Sequence, residues 1–184
     1  MKKTIAILLA CVLVFSALSA GADTVTEGFD PTEVAKGMQT KVNSHIKGRI
    51  TVLAADTLGL YTVFLEESDM GCYLNVDHVD GQGKSCEGEF RNHIAFTEVF
   101  TYSADTANNF LSFWLVCSAG LLEAVSGEEY SKLTDDVFAA LNEASNAEDH
   151  IARIAVGPYD VTVDIMSGSG MVLLGLEITV RDLV

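Results

Sequence analysis

One stretch, residues 109–125, constrains the fold more than any other because it has no polar side. Placed on a helix, one face carries Phe110, Phe113, Trp114, Cys117, Leu121 and Ala124. The opposite face is almost as apolar, with Leu111, Leu115, Ser118, Leu122 and Val125. A helix that is hydrophobic nearly all round is buried on more than one side. Polar residues interrupt the stretch, and it is shorter than the roughly 20 apolar residues that span a bilayer. It therefore predicts the central helix of a globular core.

Two further helices are predicted from capping signals followed by an apolar stripe. The first starts at Asp30, where an acidic cap precedes Pro31, and ends at Gly48. The second starts after Ser126-Gly127-Glu128-Glu129, which has the residue types of a capping box. Its apolar positions recur at helical spacing: Tyr130, Leu133, Val137, Leu141 and Ala144. Each helix is expected to bury one face and leave the other in water.

Runs with the pattern of β-strands cover residues 49–56, 60–66, 72–77, 92–102, 151–156, 159–165 and 171–181. Alternation is clear towards the C-terminus, as in strands with one buried and one wet face. In the run 92–102, Ile94 and Phe96 share one face whereas Val99 falls on the other, so we expect a bulge.

The predicted fold class is therefore α+β. About five to seven antiparallel strands would pack on a buried central helix with two flanking amphipathic helices. A repeated pattern suggests two α-β-β units related by duplication, since the junction after His45 resembles the junction after His150. The alternative is that both junctions obey the same pattern rules without common origin.

The first 22 residues have the three parts of a secretory signal peptide. Lys2 and Lys3 come first, residues 5–20 are nearly all apolar, and Ala20-Gly21-Ala22 provides the small residues of a cleavage site. We therefore expect a signal peptide over 1–22 and a single globular domain over 23–184, secreted or periplasmic. The alternative is an uncleaved N-terminus that tethers the protein to a membrane, and no other membrane contact is predicted.

The chain is strongly acidic, with a formal net charge of −15 at pH 7. Nucleic acids and anionic lipid surfaces carry charge of the same sign, so neither is expected as a partner. A cationic protein surface, a cationic ligand or Ca²⁺ is compatible with this charge.

Three cysteines follow the predicted signal peptide: Cys72, Cys86 and Cys117. Cys72 and Cys86 flank a segment rich in turn residues, and a disulfide is expected between them. It would close a loop of about 15 residues and add about 3 kcal/mol. The alternative is that all three are reduced. Cys117 has apolar neighbours and is expected to be an inert buried thiol.

The candidate binding segment is dominated by acids, which are Glu66, Glu67, Asp69, Asp77, Asp80, Glu87 and Glu89. Hard cations need several oxygen ligands, so Ca²⁺ is the one cofactor compatible with this segment, although Val76 and His78 occupy positions where an EF-hand loop needs carboxylates. The alternative is a solvated acidic loop. The histidines are scattered, so no metal site is predicted, and His45 and His150 are expected at helix ends.

The sequence carries little that points to catalysis. A G-x-S-x-G nucleophile motif is absent, and adjacent acids such as Glu66 and Glu67 point to opposite faces of a strand. No catalytic residue is predicted. We expect a non-enzymatic binding or interaction module of unidentified ligand. The alternatives are an extracytoplasmic hydrolase and a membrane-tethered structural component.

Overall fold

The computed structural model describes residues 28–55, 59–79, 85–86, 92–101 and 104–180. The helices in this part of the chain are α1 (Pro31–His45), α2 (Ala104–Ser126) and α3 (Tyr130–Asn146). The strands are β1 (Ile50–Ala54), β2 (Leu60–Leu65), β3 (Gly71–Val79), β4 (Ser85–Cys86), β5 (His93–Thr101), β6 (Ile151–Val156), β7 (Tyr159–Gly168) and β8 (Met171–Val180). The predicted signal peptide lies outside the described residues.

Seven strands form one antiparallel sheet in the order β1-β2-β3-β5-β8-β7-β6, and β4 pairs with β3 beside this path. Helix α1 packs against β1 and β3, α2 against β5, and α3 against β6 and β7. Because α2 also packs against both other helices, it is the central one. The predicted fold class is confirmed: α+β, with an antiparallel sheet on a buried central helix and two flanking helices.

The core lies between the sheet and the helices and is continuous across the strands. The register places Val163 beside Leu176, Leu176 beside Phe96, and Phe96 beside Leu74. All four side chains are fully buried. Cross-strand neighbours on one face pack directly against each other, so this row ties both halves of the sheet to one core.

Helix α1 begins as the sequence predicts and also covers an edge of the sheet. Asp30 caps it by accepting a hydrogen bond from the Glu33 amide at 2.9 Å. On β1, the Ile50 amide donates to Asn43 Oδ1 and the Val52 amide donates to Gln39 Oε1, both at 2.7 Å. Side chains of α1 thus bind backbone groups of the edge strand that no neighbouring strand satisfies.

Helix α2 is longer than predicted and is buried as predicted. Trp114, Cys117, Leu121 and Leu122 are fully buried. By length and composition alone, the segment Ala107–Ser126 is apolar enough to cross a membrane. Its packing between α1, α3 and the sheet is what identifies it as a core helix. Gly120 allows α1 to approach closely, since a Cβ there would lie 2.5 Å from Val42 Cγ2.

Helix α3 has the predicted stripe but not the predicted capping box. Leu133, Val137, Leu141 and Ala144 are buried. Ser126, however, is the last residue of α2, and its hydroxyl accepts from the Glu128 amide at 3.1 Å. The helix starts at Tyr130 without a side-chain cap at Glu129. The serine therefore finishes one helix instead of starting the next.

Strand β5 contains no bulge. Its register with β8 is unbroken from His93 to Thr101. Ile94, Phe96 and Phe100 point inward, and Val99 points outward as strict alternation requires. The predicted bulge was wrong because the inward position between Phe96 and Phe100 is filled by an acid, Glu98, where an apolar residue was expected.

The two proposed α-β-β units lie at opposite edges of the sheet. In each, a helix leads into an edge strand and then the strand next to it, α1-β1-β2 on one side and α3-β6-β7 on the other. Matching topology can arise without common ancestry, so the duplication stays a prediction.

Candidate functional site

The structure separates the acids of the predicted binding segment. Glu66, Glu67 and Asp69 lie in the turn between β2 and β3, whereas Asp77 lies towards the other end of β3. The strand between them spans about 20 Å at 3.3 Å per residue. Asp80, Glu87 and Glu89 lie outside the described residues. The described acids do not form one cluster, and Ca²⁺ binding by the segment stays a prediction.

Glu66 already has partners at the sheet edge. Its Oε1 accepts a hydrogen bond from the Thr51 hydroxyl at 2.8 Å and lies 3.5 Å from Arg49 Nε. Exposed ion pairs of this kind are weak. Arg49 nevertheless neutralises part of the negative charge of Glu66, which a bound cation would need.

The structure does not bring together the cysteines of the predicted disulfide. Cys72 is a free, buried thiol on β3, and the backbone of Cys86 on β4 pairs with His78. His78 lies six positions after Cys72 on β3, a distance of about 20 Å along the strand. A disulfide requires Cα atoms within about 7 Å. The expected bridge assumed a loop after Cys72, where the chain instead continues as a strand.

The face of the sheet turned away from the helices, here called the outward face, carries exposed apolar side chains. Among the described elements, the helices pack on the opposite face only. Leu53, Phe64 and Met166 are 53%, 42% and 44% exposed. Exposed large apolar side chains that share one face are typical of interaction surfaces.

Met166 and Phe64 belong to an apolar row that crosses several strands, whereas Leu53 lies outside this row, opposite Thr62. Met166 pairs with Leu173, and Leu173 pairs with Val99. On the far side of β3 the row continues with Phe64, whose ring lies over Gly71: a Cβ at Gly71 would be 3.4 Å from Phe64 Cδ1. The glycine therefore leaves the space that the aromatic ring covers.

Acids lie beside the apolar row on β7 and β8. Asp164 pairs with Gly175, where a Cβ would lie only 1.9 Å from Asp164 Oδ1, so the missing side chain makes room for the carboxylate. Burial and the neighbouring Glu177 raise the pKa of Asp164. The His93 imidazole, whose Nε2 lies 3.9 Å from Glu177 Oε2, lowers the pKa of Glu177. Two acids that repel each other are stabilised by an added cation.

Glu98 is the chemically unusual residue that sequence reasoning missed. It is fully buried on the inward face of β5, beside Leu174 of β8. Neither carboxyl oxygen has a hydrogen-bond partner among the described residues. Burial raises the pKa of Glu98 to about 8. The signal in the sequence was strict alternation, which places Glu98 on the same face of the strand as the apolar residues Ile94, Phe96 and Phe100.

Two buried thiols lie near Glu98. Cys72 on β3 and Cys117 on α2 are fully buried. Burial, with a smaller contribution from Glu98, raises the pKa of both thiols, which keeps them protonated. The burial expected for Cys117 is confirmed. These groups are closed to solvent in the structure, so they are poorly placed to act on a substrate.

Near the surface, a cluster of polar side chains connects α1, α2 and α3. Glu123 of α2 accepts a hydrogen bond from Lys41 Nζ at 3.0 Å and bonds His45 Nε2 at 2.7 Å. His45 also stacks on Tyr130, with ring centroids 3.8 Å apart. Although burial opposes it, the bonds from Lys41 and His45 lower the pKa of Glu123. His45 lies at a helix end as expected, but it links three helices.

Within the described ranges, no three His, Cys, Asp or Glu side chains are grouped as ligands of a metal ion. No protein-family model, curated protein or solved structure matches the chain. The geometry of the outward face and of Glu98 is therefore the basis for inferring function.

Proposed function

We propose that the protein is an exported, non-enzymatic binding module that uses the outward face of its sheet. The observation that carries the proposal is the one-sided arrangement of the fold. The described helices cover the inward face, and the outward face keeps Leu53, Phe64 and Met166 exposed beside acidic side chains. A rigid sheet is a suitable platform, because its side chains are fixed in register.

The partner we propose is a basic protein segment that also carries apolar side chains. The outward positions of the described strands hold Asp160, Asp164 and Glu177, with Arg153 as a cation on β6. The whole chain carries a net charge of −15. Opposite charge would steer a basic partner to this face, and contact with the apolar row would hold it there. The acidic segment proposed from the sequence contributes Asp77 to the same face.

The test uses two synthetic peptides of equal length, one alternating lysine with leucine and one alternating glutamate with leucine. We expect the lysine peptide to bind the purified protein and the glutamate peptide to bind at least tenfold more weakly. Raising the salt concentration from 50 to 500 mM should weaken the lysine peptide severalfold, because salt screens exposed charges. Equal binding of both peptides, or affinity that does not depend on salt, would contradict the proposal.

Matched variants locate the binding surface. Phe64→Ser should weaken the lysine peptide severalfold, and Asp164→Asn with Glu177→Gln should reduce its salt dependence. Phe138→Ser is the control, because Phe138 is 50% exposed but lies on α3. If Phe138→Ser weakens binding as much as Phe64→Ser, the outward face is not the site.

Export rests on the N-terminal pattern and has a direct test. Expression of the full chain in a secreting host should release protein that begins at Asp23, as judged by N-terminal sequencing. Membrane-bound protein that keeps Met1 would favour the tethered alternative. The alternative of an extracytoplasmic hydrolase has weaker support, because Glu98, Cys72 and Cys117 are buried away from solvent.

A further inference from the structure

Glu98 lies at the contact between the central strand and the central helix. Its side chain is fully buried on the face of β5 against which α2 packs. On its own strand, its inward neighbours are Phe96 and Phe100. A buried carboxyl without hydrogen bonds is rare in folded proteins and costs stability, so its presence needs a physical explanation.

The groups that face Glu98 offer no positive charge. From β3 the titratable neighbour is Cys72, and from α2 it is Cys117. On β8 the paired residue is Leu174. The two thiols are neutral, so a charged Glu98 would have no compensating partner among these neighbours. An uncompensated charge at this position would disfavour close packing of the helix on the strand.

We propose that Glu98 is a proton-operated switch for the packing of α2 on the sheet. The neutral form of Glu98 is compatible with close packing between β5 and α2, so the helix stays packed against the sheet. Loss of its proton places a negative charge between β5 and α2, and the interface loosens to let water reach the carboxylate. Burial raises the pKa of this group to about 8, so the change is expected at mildly alkaline pH. The switch is independent of what the outward face binds.

The structure contains a built-in reporter for this change. Trp114 is the only tryptophan of the chain and is fully buried on α2. It lies one helical turn from Cys117, and residues three apart are neighbours on a helix surface. Loosening of α2 should therefore shift Trp114 fluorescence to longer wavelength and increase its quenching by acrylamide, a neutral quencher that the acidic protein does not repel.

The experiment follows Trp114 emission and acrylamide quenching of the full-length protein from pH 6 to pH 10. We expect a transition centred near pH 8 in the wild type and none in Glu98→Gln, whose side chain cannot ionise. The infrared band of a protonated carboxyl should disappear over the same pH range in the wild type alone. The absence of a wild-type transition, or the same transition in Glu98→Gln, would overturn the proposal.

Two further variants keep the test decisive. If Glu98→Gln does not fold at pH 6, as judged by circular dichroism, Glu98→Met provides a neutral side chain of similar volume, and it should also lack the transition. Cys117→Ala should retain the transition. Its loss in Cys117→Ala would assign the titration to the thiol and overturn the role of Glu98.

Discussion

Burial of Glu98 links the stability of the protein to pH. Its pKa rises from an ordinary value of 4.5 to about 8 in the fold, because burial disfavours the charged form. Between these two values the folded chain holds a proton that the unfolded chain has lost. The favourable contribution of the neutral acid is therefore fully present below pH 4.5 and is lost as pH rises towards 8.

We predict that the free energy of unfolding of the wild type falls relative to that of Glu98→Gln between pH 4.5 and 8. The relative loss should be of order 5 kcal/mol at most, since one pKa unit corresponds to about 1.4 kcal/mol. Urea unfolding of both proteins at several pH values measures it. If the free energies of unfolding of the two proteins change with pH in parallel, folding does not raise the pKa of Glu98.

The two buried thiols give a second prediction for individual residues. In a variant with Cys11→Ser and Cys86→Ser, only Cys72 and Cys117 remain. Both are fully buried, so we expect no reaction with a thiol reagent at pH 7 and two reactive thiols in urea without reductant. Fast labelling of the native protein would contradict the burial. With Cys86 retained in a parallel sample, we expect three reactive thiols in urea, because Cys72 and Cys86 lie too far apart for a disulfide. A single reactive thiol would instead show a Cys72–Cys86 bridge.

Among the secondary-structure elements, the contact between α1 and α2 depends on Gly120. A Cβ at this position would lie 2.5 Å from Val42 Cγ2 and 3.3 Å from the Val42 amide nitrogen. We predict that Gly120→Ala destabilises the protein by about 1–3 kcal/mol through overpacking, as measured by urea unfolding. Val42→Ala removes the methyl group that the new Cβ meets. The double variant should therefore be less destabilised than the sum of the two single changes, and simple additivity would contradict this contact.

The cluster of Lys41, His45 and Glu123 ties α1 to α2 at the surface. Glu123 is held charged in the fold, with a pKa below its ordinary value of 4.5. A lowered pKa in an acid gives stability that is present above pH 4.5 and lost as pH falls through the folded value. We predict that Glu123→Gln costs about 1 kcal/mol at pH 6 and that the difference from wild type shrinks towards pH 3. Thermal unfolding measures it, and Glu129→Gln, which is exposed before α3, is the control.

At the scale of the whole molecule, the sequence predicts the elements better than the chemistry. Within the described residues, periodicity located the three helices and seven of the eight strands, because a buried face imposes an apolar residue at each repeat. Helix α2 was evident for the same reason, since each of its sides contacts another element. The strand order was not predictable, because pairing between distant strands leaves no local pattern.

The sites were harder to predict than the elements because they break these local rules. Glu98 disrupts the apolar alternation of β5 and was interpreted as a bulge. The acids of residues 66–89 are close in sequence, but β3 holds Asp69 and Asp77 apart. The space for the Asp164 side chain depends on Gly175, which lies opposite Asp164 only because β7 and β8 pair. Proximity along the chain was therefore a poor guide to proximity in the fold.

The sheet order also has a consequence for how the chain is made. Partners across the β5–β8 pairing are 70 residues apart at Thr101–Met171 and 86 apart at His93–Thr179, whereas Ile50 and Leu65 in the first hairpin are 15 apart. Distant contacts form slowly because a long loop must close first. During synthesis, the edge of β5 that pairs with β8 would remain unpaired until residues 171–180 have been made. In that interval, strand pairing between nascent copies competes with folding.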